Sequence, residues 1–351
     1  MSKPRSLVTG ACGFIGSHMV EVLAEAGHEI IATDLQSAWN TTDDKKKVSV
    51  DAVKATGAAF IPSNMTKPET LEALPDDVDT IFHVASVFSY GAPWKVLYDV
   101  NVKGTMSFVQ IAMKNRHLKR FVLWAAGGVY GLPDRQEIPF REDVTMPDPG
   151  NNYLRSKWQQ EYYVIQCGKK FGLPYTTIRP TTVYGPRGYY GGGQMLMGLA
   201  SMPVLFCPSN FKGRIPFIHV KDVARAALHL STHDKAVMEI FNVNDDSQMT
   251  TKEFFRFMAD LRGRKCITIP PVPVTLVKKL AKAAGGIESF ITADLLKIGP
   301  FLEVDGVDYL NGDFVYSNEK LKGTGFQFLY PDPRPGIQES IQWFIRNGWM
   351  K

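Results

Sequence analysis

The chain has 351 residues, 44% of them hydrophobic, which is long and apolar enough for a full doubly wound domain with a smaller second lobe. Its 40 basic and 35 acidic side chains leave a net charge of +5, and the one short basic run, Lys45-Lys46-Lys47, reads as a solvated helix start, so nothing points to a nucleic-acid partner. Cys12, Cys167, Cys207 and Cys266 form no C-x-x-C pair, which argues against a zinc site or a disulfide framework and for a reducing cytoplasm, and no apolar run reaches the roughly 18 residues of a membrane span.

The first strand signal, Ser6-Leu7-Val8-Thr9, comes too early for a signal peptide to precede it. It runs into Gly10-Ala11-Cys12-Gly13-Phe14-Ile15-Gly16 and then the helical stretch Ser17 to Ala24. A strand, a glycine-rich turn and a helix make a pyrophosphate cradle. Each glycine removes a Cβ where the chain turns, nears phosphate or packs helix on strand, and the helix N-terminus offers free N–H donors. The G-x-x-G-x-x-G spacing alone also fits a plain turn in any α/β domain. After Gly27-His28 a second strand, Glu29 to Thr33, ends at Asp34, where a carboxylate accepts both ribose hydroxyls and repels a 2′-phosphate. Leu35, Gln36 and Ser37 supply no arginine, so NAD is expected over NADP.

Further along, Asp79 to Ala85 predicts a buried strand, Val100 to Lys114 a helix and Arg120 to Trp124 another strand. Residues 153–170 predict a long helix closed by Gly172, and Pro174 to Arg179 the next strand. This alternation predicts an α/β fold, a Rossmann-type doubly wound parallel sheet with a smaller C-terminal α+β substrate lobe. Residues 1–180 are expected to form the NAD-binding domain, its sheet completed by segments near 215–245, and 181–351 mainly the substrate lobe. The aromatic, glycine-rich loop Gly185 to Gly193 reads either as a substrate lid or as an inter-lobe linker, and a Met-rich helix, Gln194 to Ala200, follows. Val274 to Ala284 reads as an amphipathic helix over the pocket or, with Lys278, Lys279 and Lys282, as a membrane-surface contact. There is no internal repeat and no metal-ligand cluster.

Tyr153-Leu154-Arg155-Ser156-Lys157 places a phenol and an ammonium on one helical face. A tyrosine ordinarily ionises near pH 10. A lysine one turn away and a nicotinamide cation favour the phenolate and bring it into range as a base.

Together these motifs resemble the extended short-chain dehydrogenase/reductases, the NAD-dependent epimerase/dehydratase superfamily, over nearly the whole length. The matching stretches are Thr9 to Gly16, Asp34, His83-Val84-Ala85, Asn101 to Thr105, Val129-Tyr130-Gly131, Tyr153 to Lys157, Arg179 to Pro186 and His219 to Ala224. The resemblance implies that Gly10, Gly13, Phe14, Ile15 and Gly16 hold the cofactor, that Val84, Ala85 and Ser86 line it, and that Pro180, Thr182 and Val183 pass beside the nicotinamide. It implies a largely structural Asn101, and puts Asn64 and Met65 where the family often has an adenine-binding aspartate. Tyr153 becomes the catalytic base and Lys157 the residue that lowers its pKa and holds the nicotinamide ribose. A homodimer formed through two core helices is usual among such proteins.

One position departs from the family. The serine or threonine that normally holds the substrate oxygen is Ala126. Losing one such hydrogen bond costs about 1–3 kcal/mol, or about 5- to 150-fold in rate. Ser86, Ser89 or Thr182 is expected to compensate, the substrate supplies its own donor, or the site is disabled. Substrate candidates are Ser86, Ser89, Tyr189, Tyr190, Arg187 and Arg214, but Cys207 to His219 lacks the G-D-G-x-x-x-R-D stretch usual in sugar-nucleotide members. Asp313 to Lys322 and Pro331 to Trp343 resemble the 3β-hydroxysteroid dehydrogenase and sterol C4-decarboxylase branch. That implies oxidation of an apolar secondary alcohol to a ketone, with decarboxylation where a carboxylate lies β to it. The alternatives are a nucleotide-sugar epimerase or dehydratase with retained NAD, and a catalytically impaired NAD-binding protein.

Overall fold

Short runs of Val, Ile and Leu, too brief for helices, alternate with amphipathic stretches, and each becomes a strand or a helix in turn. The computed structural model describes residues 3–133, 137–143, 150–273, 275–276, 279 and 312–351. β1 (Arg5–Thr9) leads into α1 (Phe14–Glu25), and β2 (Glu29–Asp34) follows. Next come α2 (Asp44–Ala55), β3 (Ala59–Pro62) and β4 (Thr80–His83). α3 (Thr105–Lys114), β5 (Arg120–Trp124), α4 (Asn152–Phe171) and β6 (Tyr175–Pro180) continue the alternation. The later part holds β7 (Thr182–Tyr184), α5 (Gly192–Ser201), β8 (Val204–Pro208), β9 (Phe217–His219) and α6 (Val220–Thr232). It ends with β10 (Glu239–Val243), α7 (Thr251–Leu261), β11 (Lys265–Ile269) and α8 (Pro333–Arg346).

Seven strands form one sheet in the order β10-β6-β5-β4-β1-β2-β3, every neighbouring pair parallel. This is the Rossmann-like α/β fold. Both faces are covered, so the strands are apolar on both sides. Leu7, Ile31, Ile81 and Phe121 pack with Val109 of α3 and Val164 of α4. Val8, Ala32, Phe82 and Val122 pack with Leu23 of α1 and Val223 and Ala227 of α6. A separate core joins Leu196 and Leu199 of α5 to Phe254 and Met258 of α7 and Ile337 and Ile341 of α8. Two small parallel pairs, β7 with β9 and β8 with β11, lie outside the main sheet.

Two elements depart from the sequence reading. The strand expected to reach Ala85 stops at His83, because the Ala85 N–H turns aside to the Thr9 hydroxyl at 3.1 Å. The helix expected from Val100 starts as a π-helical segment, Tyr98–Gly104, before α3. There the Asn101 amide accepts from the Val87 N–H at 2.8 Å and donates to the Val87 carbonyl at 3.1 Å, tying the widened turn to the chain after β4. Apart from 275, 276 and 279, the expected helix Val274 to Ala284 lies outside the described residues. Among the described residues no helix is long and apolar enough to cross a membrane.

Candidate active site

The strand order reverses between β1 and β4, and the crevice outside their carboxyl ends is where open α/β sheets bind ligands. Gly10 has φ +66°, and a Cβ there would stand 2.8 Å from Ala85 Cα. A Cβ at Gly16 would overlap the Gly10 carbonyl oxygen, so this turn admits only glycine. α1 starts just after its N-cap Gly13, with no side-chain cap and no acidic residue in its first turn, leaving its N–H donors and positive dipole end to an anion. Asp34 ends the next strand, its oxygens accepting from the Cys12 N–H at 3.0 Å and the Leu35 N–H at 2.8 Å. Burial pushes the Asp34 pKa up, while those two hydrogen bonds pull it down. The cradle, the open helix end and the carboxylate fit a dinucleotide.

Asn64 and Met65 are placed less simply. The Asn64 side-chain Oδ1 accepts from the Thr66 N–H at 3.0 Å and the Thr66 hydroxyl at 2.8 Å, which holds that amide on its own turn. Met65 is buried in the core beneath α3, packed on Gly104.

Across the crevice, α4 is started by the Asn151 side chain, which accepts from the Leu154 N–H at 2.8 Å, and is ended by Gly172 at φ +73°. Tyr153 and Lys157 project from one face, 8% and 2% exposed. Lys157 Nζ donates to the Trp124 carbonyl at 2.6 Å and to Ser86 Oγ at 2.9 Å. Burial in this apolar setting pushes its pKa down to about 7, against the raising influence of Glu161 one turn on. The Tyr153 ring meets Phe88 and Tyr90 edge to face, at 4.9 and 5.7 Å between centroids.

These residues line a cavity of about 330 Å³. Phe14, Ile15, Val84, Ser86, Ala126, Pro180, Thr182, Val183 and Tyr190 all reach it. Of the six substrate candidates, Ser86 and Tyr190 line it and four do not. Ser89 does not line the cavity. Tyr189 points to the other end of the crevice, where burial and the Asp34 carboxylate push its phenol up to about 12. Arg187 is committed to Glu21, Nη1 donating to Oε1 at 3.0 Å and Nη2 to Oε2. Arg214 is committed to Asp313 through Nε at 2.7 Å and through Nη2, and Nη1 donates to Gln248 at 3.1 Å. Both guanidinium charges are thus paired with a carboxylate of this chain.

The Arg187 pair also fixes the loop before α5. His18 Nε2 lies 2.9 Å from the Pro186 carbonyl oxygen, and Tyr190 meets Phe14 edge to face at 5.8 Å. The loop is thus docked on α1, beside the glycine turn. His219 caps α6, its ring accepting from the Lys221 N–H at 3.2 Å. The Asp222 carboxylate accepts from the Leu329 and Tyr330 N–H groups at 2.8 and 2.9 Å. This motif anchors the C-terminal chain and stands apart from the reacting centre.

Several cavity residues left no clear sign in the sequence. Phe88 and Tyr90 sit in a loop without periodicity, and Phe255 and Tyr316 come from distant segments. Tyr316 reaches the turn after β5 by donating to the Gly127 carbonyl at 3.2 Å. Under the site, buried Arg179 Nε donates to both Glu161 oxygens at 3.1 Å and Nη1 to the Tyr130 hydroxyl at 2.6 Å. The sequence-matched Arg179 and Tyr130 are therefore parts of a buried scaffold.

The chain is 25% identical to a UDP-glucose 4-epimerase of Vibrio cholerae, over 80% of this chain and 83% of that protein. It is 23% identical to 3beta-hydroxysteroid dehydrogenase/Delta(5)-Delta(4) isomerase 1 of Caenorhabditis elegans, over 90% of this chain and 74% of the relative. The solved UDP-glucose 4-epimerase of Thermus thermophilus in complex with NAD superposes with a TM-score of 0.68 at 22% identity, covering 97% of this chain and 99% of that one. The model of the NAD dependent epimerase/dehydratase family matches residues 6–244, a span that contains the glycine turn, Asp34, Tyr153 and Lys157. The chain belongs to that family, an oxidoreductase with NAD as its cofactor.

Proposed function

We propose that this protein oxidises a secondary alcohol on an apolar, hydroxysteroid- or sterol-like substrate to the ketone. The observation that carries the reading is the lining of the cavity beside Tyr153. Phe88, Tyr90, Tyr190, Met195, Leu199 and Phe255 face it, and its one cation among the described residues is Lys157. Such a wall rewards apolar area at roughly 25 cal/mol per Å² and offers a diphosphate no counter-charge.

In this reading the Gly10–Gly16 turn and α1 hold the pyrophosphate, Asp34 accepts from the adenosine ribose, and Val84, Ala85 and Pro180 to Val183 flank the nicotinamide. Residues 1–180, with α6 and β10, form the cofactor half, and 181–351 supply most of the substrate wall. NAD, when bound, accepts the hydride from the carbinol carbon. The Tyr153 phenolate takes the hydroxyl proton, and Lys157 favours that phenolate by its charge and holds the nicotinamide ribose. The product is a ketone, and a carboxylate β to it leaves as carbon dioxide without a further catalytic group.

The second reading is a nucleotide-sugar epimerase that retains NAD, supported by the likeness to the Vibrio cholerae enzyme at 25% identity. One experiment separates the two. The purified protein is mixed with NAD and a panel of hydroxysteroids or nucleotide sugars, while nicotinamide absorbance and product composition are followed. Net NADH formation with a hydroxysteroid supports the first reading. Conversion of a nucleotide sugar without net NADH rejects it in favour of the second.

A further inference from the structure

We propose that Ser86 supplies the hydroxyl that Ala126 lacks, its Oγ–H donating to the substrate's carbinol oxygen beside the Tyr153 phenol. The inference rests on the reading that Tyr153 acts on a substrate alcohol. β4 and β5 pair at a constant offset, Thr80 with Arg120 through His83 with Leu123. Ser86 follows the end of β4 by three residues and Ala126 follows the end of β5 by two, and both residues line the cavity with Tyr153. The missing side chain and the proposed substitute thus stand in the segments that follow two neighbouring strands.

The hydrogen-bond inventory assigns the proton. A serine hydroxyl has one proton to give and two lone pairs to fill. Ser86 Oγ accepts from Lys157 Nζ at 2.9 Å, and no described residue accepts its proton in return. An ammonium on the oxygen polarises the O–H and strengthens it as a donor. Lys157 is itself held by the Trp124 carbonyl at 2.6 Å, two residues before Ala126, so the donor chain Lys157 to Ser86 is fixed to the strand that carries the gap.

The other hydroxyls are placed less well. Ser89 does not line the cavity. Thr181 does, but its Oγ1 has no surface open to the cavity, and its Cγ2 lies 3.2 Å from where a Cβ on Gly127 would be. Thr182 packs its Cγ2 toward Gly192 at the start of α5. No covalent change occurs at Ser86: the carbinol proton goes to Tyr153, the hydride to NAD, and the Ser86 proton stays on Oγ.

The test compares Ser86→Ala, Ala126→Ser and the double variant with the wild type, using the substrate class that the panel above turns over. Melting temperature and NADH affinity by nicotinamide fluorescence are measured on each. Ser86→Ala is expected to lower kcat about 5- to 150-fold, with NADH affinity held within about twofold. Adding Ala126→Ser is expected to restore most of the lost kcat, because a hydroxyl then returns to the same cavity from the segment after β5. Unchanged kcat in Ser86→Ala overturns the proposal. So does a fall in NADH affinity that matches the fall in kcat, or a double variant with no recovery. Turnover of nucleotide sugars alone rejects the apolar-substrate reading yet leaves this comparison decisive. A wild type that turns over neither class overturns both.

Discussion

The turns that follow β1 and β5, on either side of β4, ask different things of their residues. After β1 the demand is steric: Gly10 must hold a positive φ against Ala85, and Gly16 must lie against the Gly10 carbonyl. After β5 the family's demand is a hydroxyl, and Ala126 does not provide it. A steric demand is met at its own position or not at all. A hydrogen-bond demand is met from any neighbouring segment that delivers an oxygen to the same point, and Ser86, in the segment after β4, lines the same cavity as Ala126.

The contrast can be broken most decisively at the first turn. Gly16→Ala places a Cβ on backbone that cannot rotate away, at an overpacking cost of about 1–3 kcal/mol or more. It is expected to abolish NADH binding in a fluorescence titration and to lower the melting temperature, with no second-site side chain able to restore it. Next in size, Tyr153→Phe is expected to lower kcat about 10²- to 10⁴-fold while NADH affinity and melting temperature hold. Loss of NADH binding in that variant would place the phenol in the cofactor cradle, outside the proton-transfer step.

A pH measurement sharpens the β5 side. Lys157 sheds its proton near pH 7 in the folded protein, whereas the unfolded side chain keeps it to about 10.5. The unfolded state therefore binds more protons between those limits, and stability from this group rises with pH across that window. Below pH 7 the full cost of burying the ammonium remains. Thermal melts of the wild type are expected to carry this rise above pH 7, and Lys157→Met to lack it. A matching slope in the variant would assign the proton to another group. The smallest effect is expected at Arg214→Ala. Its pair with Asp313 is one-third exposed and worth about 0–1 kcal/mol, and binding of a nucleotide sugar should be no weaker without it. A large loss of such binding would return the guanidinium to the substrate site.

The same contrast explains what could be read from the amino acids. The glycine turn, Asp34 and the Tyr153–Lys157 pair are local patterns, each fixed by spacing along one strand or helix, and all are placed as their spacing implies. Arg187 and Arg214 looked available because their partners, Glu21 and Asp313, lie far away in the chain, and only folding brings the charges together. The aromatic wall was hidden for a related reason: Phe88, Tyr90, Phe255 and Tyr316 come from segments with no shared periodicity. The π-helical start before α3 escaped notice because the Asn101 amide that ties it down bonds backbone after another strand.

The seventh strand has a consequence for how the chain is made. β6 is flanked on its outer side by β10, and α1 packs on α6, so two parts of the cofactor half come from beyond the substrate loop. A nascent chain that has just released Pro180 has β6 as a bare parallel edge and an uncovered apolar stripe on α1, both prone to wrong pairing. That edge of β6 is paired only after Val243 clears the ribosome. Synthesis that stalls between these points should leave a sticky product in need of a chaperone.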